Sequence, residues 1–480
     1  MSELKEKTAK GLLWGGFSNG LQQLLNLLFG IFLARLLTPA DYGMVGMLSI
    51  FVMVASTLQD SGFTNALTNK KEVSHADYNA VFWFSTLMGL LLYLLLFLSA
   101  PLIAAFFGKP ELEPLSRLLF LGFLISSTGT AHNAVFFKQL MVKQKALAQL
   151  IALAVSGVTG ISLALCGMAY WGIALQTVTY IGVCTGLYWC FSPWRPSWKI
   201  DFRPLKPLFA FSSKLLLTNL FTQINNNLLS ALLGHLYTAG EVGHYTQANK
   251  WTTMGHVLVA NMVNGVAQPV LAQVVDDTPR QRQVFRKLLR FTSFVSFPDL
   301  FGLALIAPEL IHLALTDKWL PCVPLLRILC IWSAFLPIQQ LYYNLIISHR
   351  QSNVALGNAV LIGLLQLLLM FLVYPYGIIW MVTASVAIHV CSLLLWQHFA
   401  HRAMGITLGE ALRDVLPFAG IALGVMGGIH LLMEWLHLAS LPTLLLKILL
   451  GATLYLALMA ASRAVVLRES LHYLLKKKSL

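Results

Sequence analysis

The chain reads as an all-α polytopic membrane protein of about fourteen transmembrane helices, and three observations carry that reading. Hydrophobic residues make up 57% of its 480 residues and charged ones only 11%, with a mean hydropathy of +0.72, outside the range of soluble domains. Apolar runs of the roughly 20 residues needed to cross a bilayer recur along nearly the whole length. The cations that remain are sorted by side. If the N-terminus is cytoplasmic, all but seven of the 33 Lys and Arg lie at the chain ends or in and beside even-numbered connections, as the positive-inside rule requires.

Taken in order, segment 1 (11–37) follows Lys5, Lys7 and Lys10. Its apolar run is too long for a secretory signal and lacks a small-residue cleavage pattern, so it is expected to stay as a helix. Segment 2 (42–66) ends at Lys70 and Lys71. Segments 3 and 4 (80–106, 115–137) precede Lys138, Lys143 and Lys145, and segments 5 and 6 (146–167, 169–191) precede the cluster from Arg195 to Lys214. Segments 7 and 8 (209–234, 244–272) precede the cluster from Arg280 to Arg290. Segments 9 to 14 follow at 288–315, 322–347, 354–374, 376–400, 412–434 and 442–466, before Lys476 to Lys478. The exceptions are Arg35, Lys109, Arg117, Lys250, Lys318, Arg327 and Lys447.

This pattern places both termini in the cytoplasm and the chain in a bacterial-type inner membrane. It also gives the net charge of +14 a topological meaning, so no nucleic-acid partner is expected. The six cysteines, Cys166, Cys184, Cys190, Cys322, Cys330 and Cys391, have no metal-ligand spacing and read as buried thiols. No metal and no cofactor are expected.

A repeat lies hidden in the chain. An offset of 200 brings Asn19 onto Asn219, Gln23 onto Gln223, Asn26 onto Asn226, Thr38 onto Thr238 and Gly43 onto Gly243, while Asp41 meets Glu241. Six segments separate the copies, so residues 1–200 and 201–403 read as two six-helix lobes related by an axis along the membrane normal. Residues 404–480 add two helices and a basic tail. On a helix, Asn19, Gln22, Gln23 and Asn26 share one face, as do Thr222, Gln223 and Asn226 with Asn219. An amide strip in each half predicts a shared polar cavity, with segments 1 and 7 facing each other across it. The alternative is that these amides bond neighbouring helices together.

Ionisable residues inside spans are functional candidates by default. Lys250 lies well inside segment 8, on a face shared with Thr246 and Thr253 and near Asn249 and His256. It reads either as a cavity-lining cation or as a lysine snorkelling to the interface. Arg35, at the outer end of segment 1, carries the same two readings. Lys214, at the inner end of segment 7, reads as a topology-setting charge, and His132 and His256 as hydrogen-bonded polar residues. Asp60 lies in the inner third of segment 2, and Asp299 is mid-span, directly after Pro298. Both acids are candidates for coupling transport to H+ or Na+, against the alternative of fixed ion pairs or solvated carboxylates. The connections have neither a phosphate-cradling glycine motif nor room for a large catalytic domain, so an enzyme is not expected.

Four stretches carry a resemblance. "LARLLTPADYGMVGM" (33–47), followed by "DSGFTNALTNKKEVSHADYNAVFWFS" (60–85), resembles the start of bacterial polysaccharide flippases of the O-antigen and colanic acid exporter type. "AGEVGHYTQANKW" (239–251) and "DKWLPCVPLLRIL" (317–329) resemble their second-half signatures. The resemblance implies the multidrug/oligosaccharidyl-lipid/polysaccharide exporter fold, two six-helix lobes in a V around a central cavity. It implies an undecaprenyl-pyrophosphate-linked oligosaccharide as cargo, membrane lipids as surroundings and a polysaccharide polymerase machinery as a partner. It also implies phosphate contacts for Arg35 and Lys250. The position after the segment 9 proline is usually apolar in this family and is Asp299 here. Competing readings are a multidrug or small-cation antiporter of the same superfamily, whose cavity should be acidic and aromatic, a lipid II flippase, and a membrane glycosyltransferase.

Overall fold

The computed structural model describes residues 2–60, 67, 73–349, 351–436 and 438–462, and every regular element among them is helical. The expected first repeat holds α1 (Ser2–Leu36), the pair α2 (Pro39–Met47) and α3 (Ser49–Asp60), and α4 (His75–Phe107). It continues with α5 (Leu112–Ser127) and α6 (Thr130–Lys138), then α7 (Val142–Leu165) and α8 (Tyr170–Phe191). The second supplies α9 (Lys206–Leu236), α10 (Ala239–Gln273), α11 (Thr278–Leu315), α12 (Cys322–Ser348), α13 (Ser352–Val373) and α14 (Ile378–Met404). The chain then adds α15 (Leu408–Leu436) and α16 (Ser440–Ala461).

Helices therefore occupy every predicted segment. Ten are long and apolar enough to cross a membrane among the described residues, or eleven if α5 and α6, bent by 44°, form one span. The long helices outside that set are α1, α9 and α10, whose amides and hydroxyls lower their hydropathy.

Helix starts are set by short side chains. Thr38 opens α2: its backbone N–H donates to Asp41 Oδ2 at 2.8 Å, while the Asp41 N–H donates to Thr38 Oγ1 at 3.3 Å. The same reciprocal cap opens α10, with Thr238 N–H to Glu241 Oε2 at 3.0 Å and Glu241 N–H to Thr238 Oγ1 at 3.3 Å. Residues 200 apart thus perform the same local task.

By compactness the chain divides into residues 1–243 and 244–480, the boundary falling inside α10. This division follows packing, whereas the boundaries at 200 and 403 are the ones expected from the offset of 200 in the sequence. In the first unit, α7 packs on α8, α4 on α5, α1 on α7 and α9 on α3. Its core at one end joins Tyr78, Phe82, Ala131, Ala134, Val135 and Trp194. The linker between the repeats is strapped to that end: Asn79 Nδ2 donates to the Lys199 carbonyl at 2.6 Å and Trp83 Nε1 to the Ser197 carbonyl at 2.8 Å.

The second unit is built around α11, against which α12, α15 and α16 pack. Leu305 of α11 forms a core with Val425, Met426, Ile429 and Met433 of α15. Arg282, Arg286 and Arg290, one turn apart on α11, meet Glu410 and Asp414, one turn apart on α15. Arg286 grips both Asp414 oxygens, Nε at 2.6 Å and Nη2 at 3.2 Å, and Arg290 Nε reaches Asp414 at 2.6 Å. Arg282 Nη2 and Arg286 Nη1 bond Glu410 at 2.5 and 3.1 Å. Charges expected only to set topology are therefore also a ladder joining two helices.

Candidate functional site

The amide strip on α1 is one of three faces, separable at about 100° per residue. Ser18, Gln22, Leu25, Phe29 and Leu33 form the face toward α7. Phe29 covers Gly157, where a Cβ would stand 2.4 Å from its ring, and Gln22 Nε2 lies 3.4 Å from Gln149 Oε1. Leu24, Leu28 and Phe32, 59%, 51% and 54% exposed, form a second face, fit for lipid. Between these two, Asn19, Gln23 and Asn26 are all exposed. Amides spaced like this on a packed apolar helix need water or a polar ligand.

On α9 the strip recurs. Asn226 and Thr222 are exposed and Gln223 half-buried. Asn227 Nδ2 donates to the Gln223 carbonyl at 2.9 Å. Asn219 lies outside the described residues as far as its side chain is concerned. The next turns of both strips are closed. Leu33 and Ala34 of α1 and Leu37 just past its end are buried, and on α9, Leu229, Ser230 and Leu233 are buried. Ser230 Oγ lies 3.4 Å from Ser49 Oγ, and His235 Nδ1 lies 2.6 Å from the Phe106 carbonyl, to which it can only donate. In each helix the described polar face is open in the middle turns and packed toward the C-terminal end.

That packed end carries a close crossing of two helix starts. A Cβ on Gly43 of α2 would stand 1.7 Å from the carbonyl oxygen of Ala239, and one on Gly243 of α10 would stand 1.7 Å from that of Pro39. In both, a glycine hydrogen points at a carbonyl, the arrangement of a Cα–H···O contact. Only glycine allows this approach.

Other predicted residues fall elsewhere. Arg35 is exposed, on the side of α1 occupied by Leu24, Leu28 and Phe32 and away from the amides. Lys250 is half-buried on α10, and among the described residues nothing is bonded to its ammonium group. Asn249, Lys250, Thr253, His256, Asn261 and Gln268 follow one another along about 140° of that helix. Of these, Asn249, Thr253, Asn261 and Gln268 are exposed. Asn261 and Gln268 extend the strip beyond what the sequence reading singled out, and their helical spacing was the available signal. Asp299 is exposed on α11, its Oδ2 3.8 Å from where a Gly255 Cβ would stand. Gly255 lies on the other side of α10 from Lys250, so the structure does not join Asp299 to that strip. Asp60 lies outside the described residues as far as its side chain is concerned. His132 is fully buried between Trp189 and Trp194, at 4.7 and 5.3 Å.

This architecture defines a class, the multi-pass helical membrane transporters. Its fold is similar to that of the lipid II flippase MurJ in an inward closed conformation, with a TM-score of 0.75 over 95% of this chain and 100% of that one, at 15% identity. Residues 32–324 match the family described as polysaccharide biosynthesis protein, and the chain belongs to that family. It is 25% identical over 334 residues to the lipopolysaccharide biosynthesis protein WzxC of Escherichia coli (strain K12), covering 68% of this chain and 67% of that one. It is also 25% identical over 338 residues to the teichuronic acid biosynthesis protein TuaB of Bacillus subtilis (strain 168), covering 69% of each. The protein is thus a multi-pass membrane transporter of polysaccharide biosynthesis and export, not an enzyme.

Proposed function

We propose that this protein turns an undecaprenyl-pyrophosphate-linked oligosaccharide from the cytoplasmic to the periplasmic leaflet of a bacterial inner membrane, with both its termini in the cytoplasm. The observation that carries the proposal is the pair of amide strips on α1 and α9, open along one part and closed over the other. Amides and hydroxyls suit a sugar head group, which needs many directional hydrogen bonds and little charge. Asn19, Gln23 and Asn26 contact it from one repeat, and Asn219, Gln223 and Asn226 from the other, while Gln22, expected on the same face, turns instead toward Gln149 of α7.

Lys250 supplies a cation for the pyrophosphate, with Arg35 assisting at the membrane face. The two six-helix repeats, 1–200 and 201–403, rock so that the site opens to one leaflet at a time. The isoprenoid tail stays in the bilayer, and an ion gradient acting through Asp60 or Asp299 supplies direction. The delivered unit passes to a polymerase outside. The names of WzxC, TuaB and MurJ support this cargo class. An antiporter for organic cations would want acids and aromatic rings where these strips carry amides.

The experiment is a deletion with complementation. Cells lacking the gene should lose the surface polysaccharide and accumulate its lipid-linked repeat unit on the inner leaflet, and the plasmid-borne gene should reverse both. Loss of polymer without accumulation of the lipid-linked unit would place the protein at another step.

A further inference from the structure

Pro298 and Pro308 stand inside α11. Proline has no N–H, so each leaves the carbonyl four residues earlier without its helical donor, here those of Phe294 and Ala304. In a membrane span such carbonyls must find a side chain or water. Neighbouring helices meet both. The Tyr455 hydroxyl of α16 donates to the Phe294 carbonyl at 3.0 Å, and Arg327 Nε of α12 donates to the Ala304 carbonyl at 3.2 Å.

One residue further on, Lys447 of α16 donates to the Leu305 carbonyl at 3.2 Å and to Glu309 Oε1 at 2.7 Å. Lys447 is 3% exposed. An ammonium group so deep in an apolar span persists only with a partner, and Glu309 is that partner. Thus α16, in the pair of helices added after the repeats, holds α11 beside each of its proline breaks.

Helices bend where the hydrogen-bond ladder is interrupted. A donor on a freed carbonyl narrows the range of bends that the break allows, and Asp299 is the residue that follows Pro298. We propose that Tyr455, Lys447 and Arg327 are positioning residues for transport: they set the bend of α11 at its two prolines and so fix where Asp299 stands. The C-terminal helices are then a brace on a span of the transport core. Only the functional half of this proposal rests on the flippase reading, because the bend of α11 is measurable without any cargo.

The test uses the full chain in nanodiscs, with its native cysteines replaced and spin labels at Gln283 and Leu320, near the two ends of α11. Tyr455→Phe keeps the ring beside Phe294, 5.8 Å away, and removes only the donor. The expected result is a broadened and shifted label-to-label distance. In the same variant the maximal transport rate should fall about fivefold, the worth of one neutral hydrogen bond, at an unchanged half-saturating cargo concentration. Lys447→Met should give a larger change and Lys447→Arg a smaller one. Tyr455→Phe decides the matter if Lys447→Met fails to insert. An unchanged distance in Tyr455→Phe overturns the brace. A changed distance with a wild-type maximal rate overturns the link to transport, and so does a defect confined to the half-saturating concentration.

Discussion

Gly243 lies against Pro39 so closely that a Cβ would stand 1.7 Å from the proline carbonyl oxygen, and Gly43 stands in the same relation to Ala239. Because each pair is the other moved by 200 residues, the two helix starts cross with local two-fold symmetry. Adding a methyl group at either glycine forces backbone apart, an overpacking strain of about 1–3 kcal/mol. Gly43→Ala and Gly243→Ala should therefore lower export at matched protein levels by about fivefold or more, to similar extents, with valine worse than alanine. Surface polysaccharide per unit of membrane protein is the measurement. Wild-type export from both valine variants would show that the crossing is not part of the cycle.

Lys250 is the candidate cation with no bonded partner among the described residues. Its removal leaves no orphaned group behind, so Lys250→Ala should insert and accumulate normally. Losing one charge-assisted contact to a pyrophosphate, worth about 1.5–3 kcal/mol, should slow export about ten- to a hundredfold. Lys250→Arg should retain part of the rate, and Arg35→Ala should show a weaker defect. Full export from a well-expressed Lys250→Ala protein would make this a snorkelling lysine.

Asn26 and Asn226 are exposed on the two strips, so replacing them by leucine leaves no buried partner unsatisfied. Each substitution should cut the export rate by about two- to tenfold, the range of one neutral hydrogen bond, and should leave the thermal midpoint nearly unchanged. A large fall in the midpoint would instead assign these amides to helix-to-helix bonding.

The arginine ladder makes the opposite forecast. Asp414 is 4% exposed and bonded by Arg286 and Arg290. Asp414→Asn should destabilise the purified protein by about 1–3 kcal/mol, less than a fully buried pair because both arginines keep contact with solvent. Thermal unfolding in detergent measures it, and the exchange Arg286→Asp with Asp414→Arg should recover part of the loss. An unchanged midpoint in Asp414→Asn would reduce the ladder to a surface feature.

Much of this architecture was legible because membrane spans announce themselves by length and apolar character, and because Thr38 and Thr238 cap their helices by the same chemistry. Helical period predicts the common exposure of Asn19, Gln23 and Asn26, but not that Gln22 turns toward Gln149. What escaped was contact between helices distant in sequence. Nothing near Tyr455 signals that it caps the carbonyl freed by Pro298, and the pairing of Lys447 with Glu309 is visible only once α16 packs on α11. The ladder of Arg282, Arg286 and Arg290 was masked by the topological meaning of basic loops, which explains the same residues without any partner. Arg35 stands on the side of α1 away from the amides because side-chain direction follows rotation about the helix.

The central claim is movement of a lipid-linked oligosaccharide between leaflets, and reconstitution tests it most directly. Purified protein in proteoliposomes would be supplied with an undecaprenyl-pyrophosphate-linked repeat unit in the inner leaflet, under an imposed ion gradient. An impermeant glycosidase outside would report arrival of the sugar. The account predicts time-dependent cleavage that depends on the protein and is slowed by Lys250→Ala and by the glycine substitutions at the crossing. Cleavage no faster than in protein-free liposomes, for a preparation shown to be folded, would contradict it.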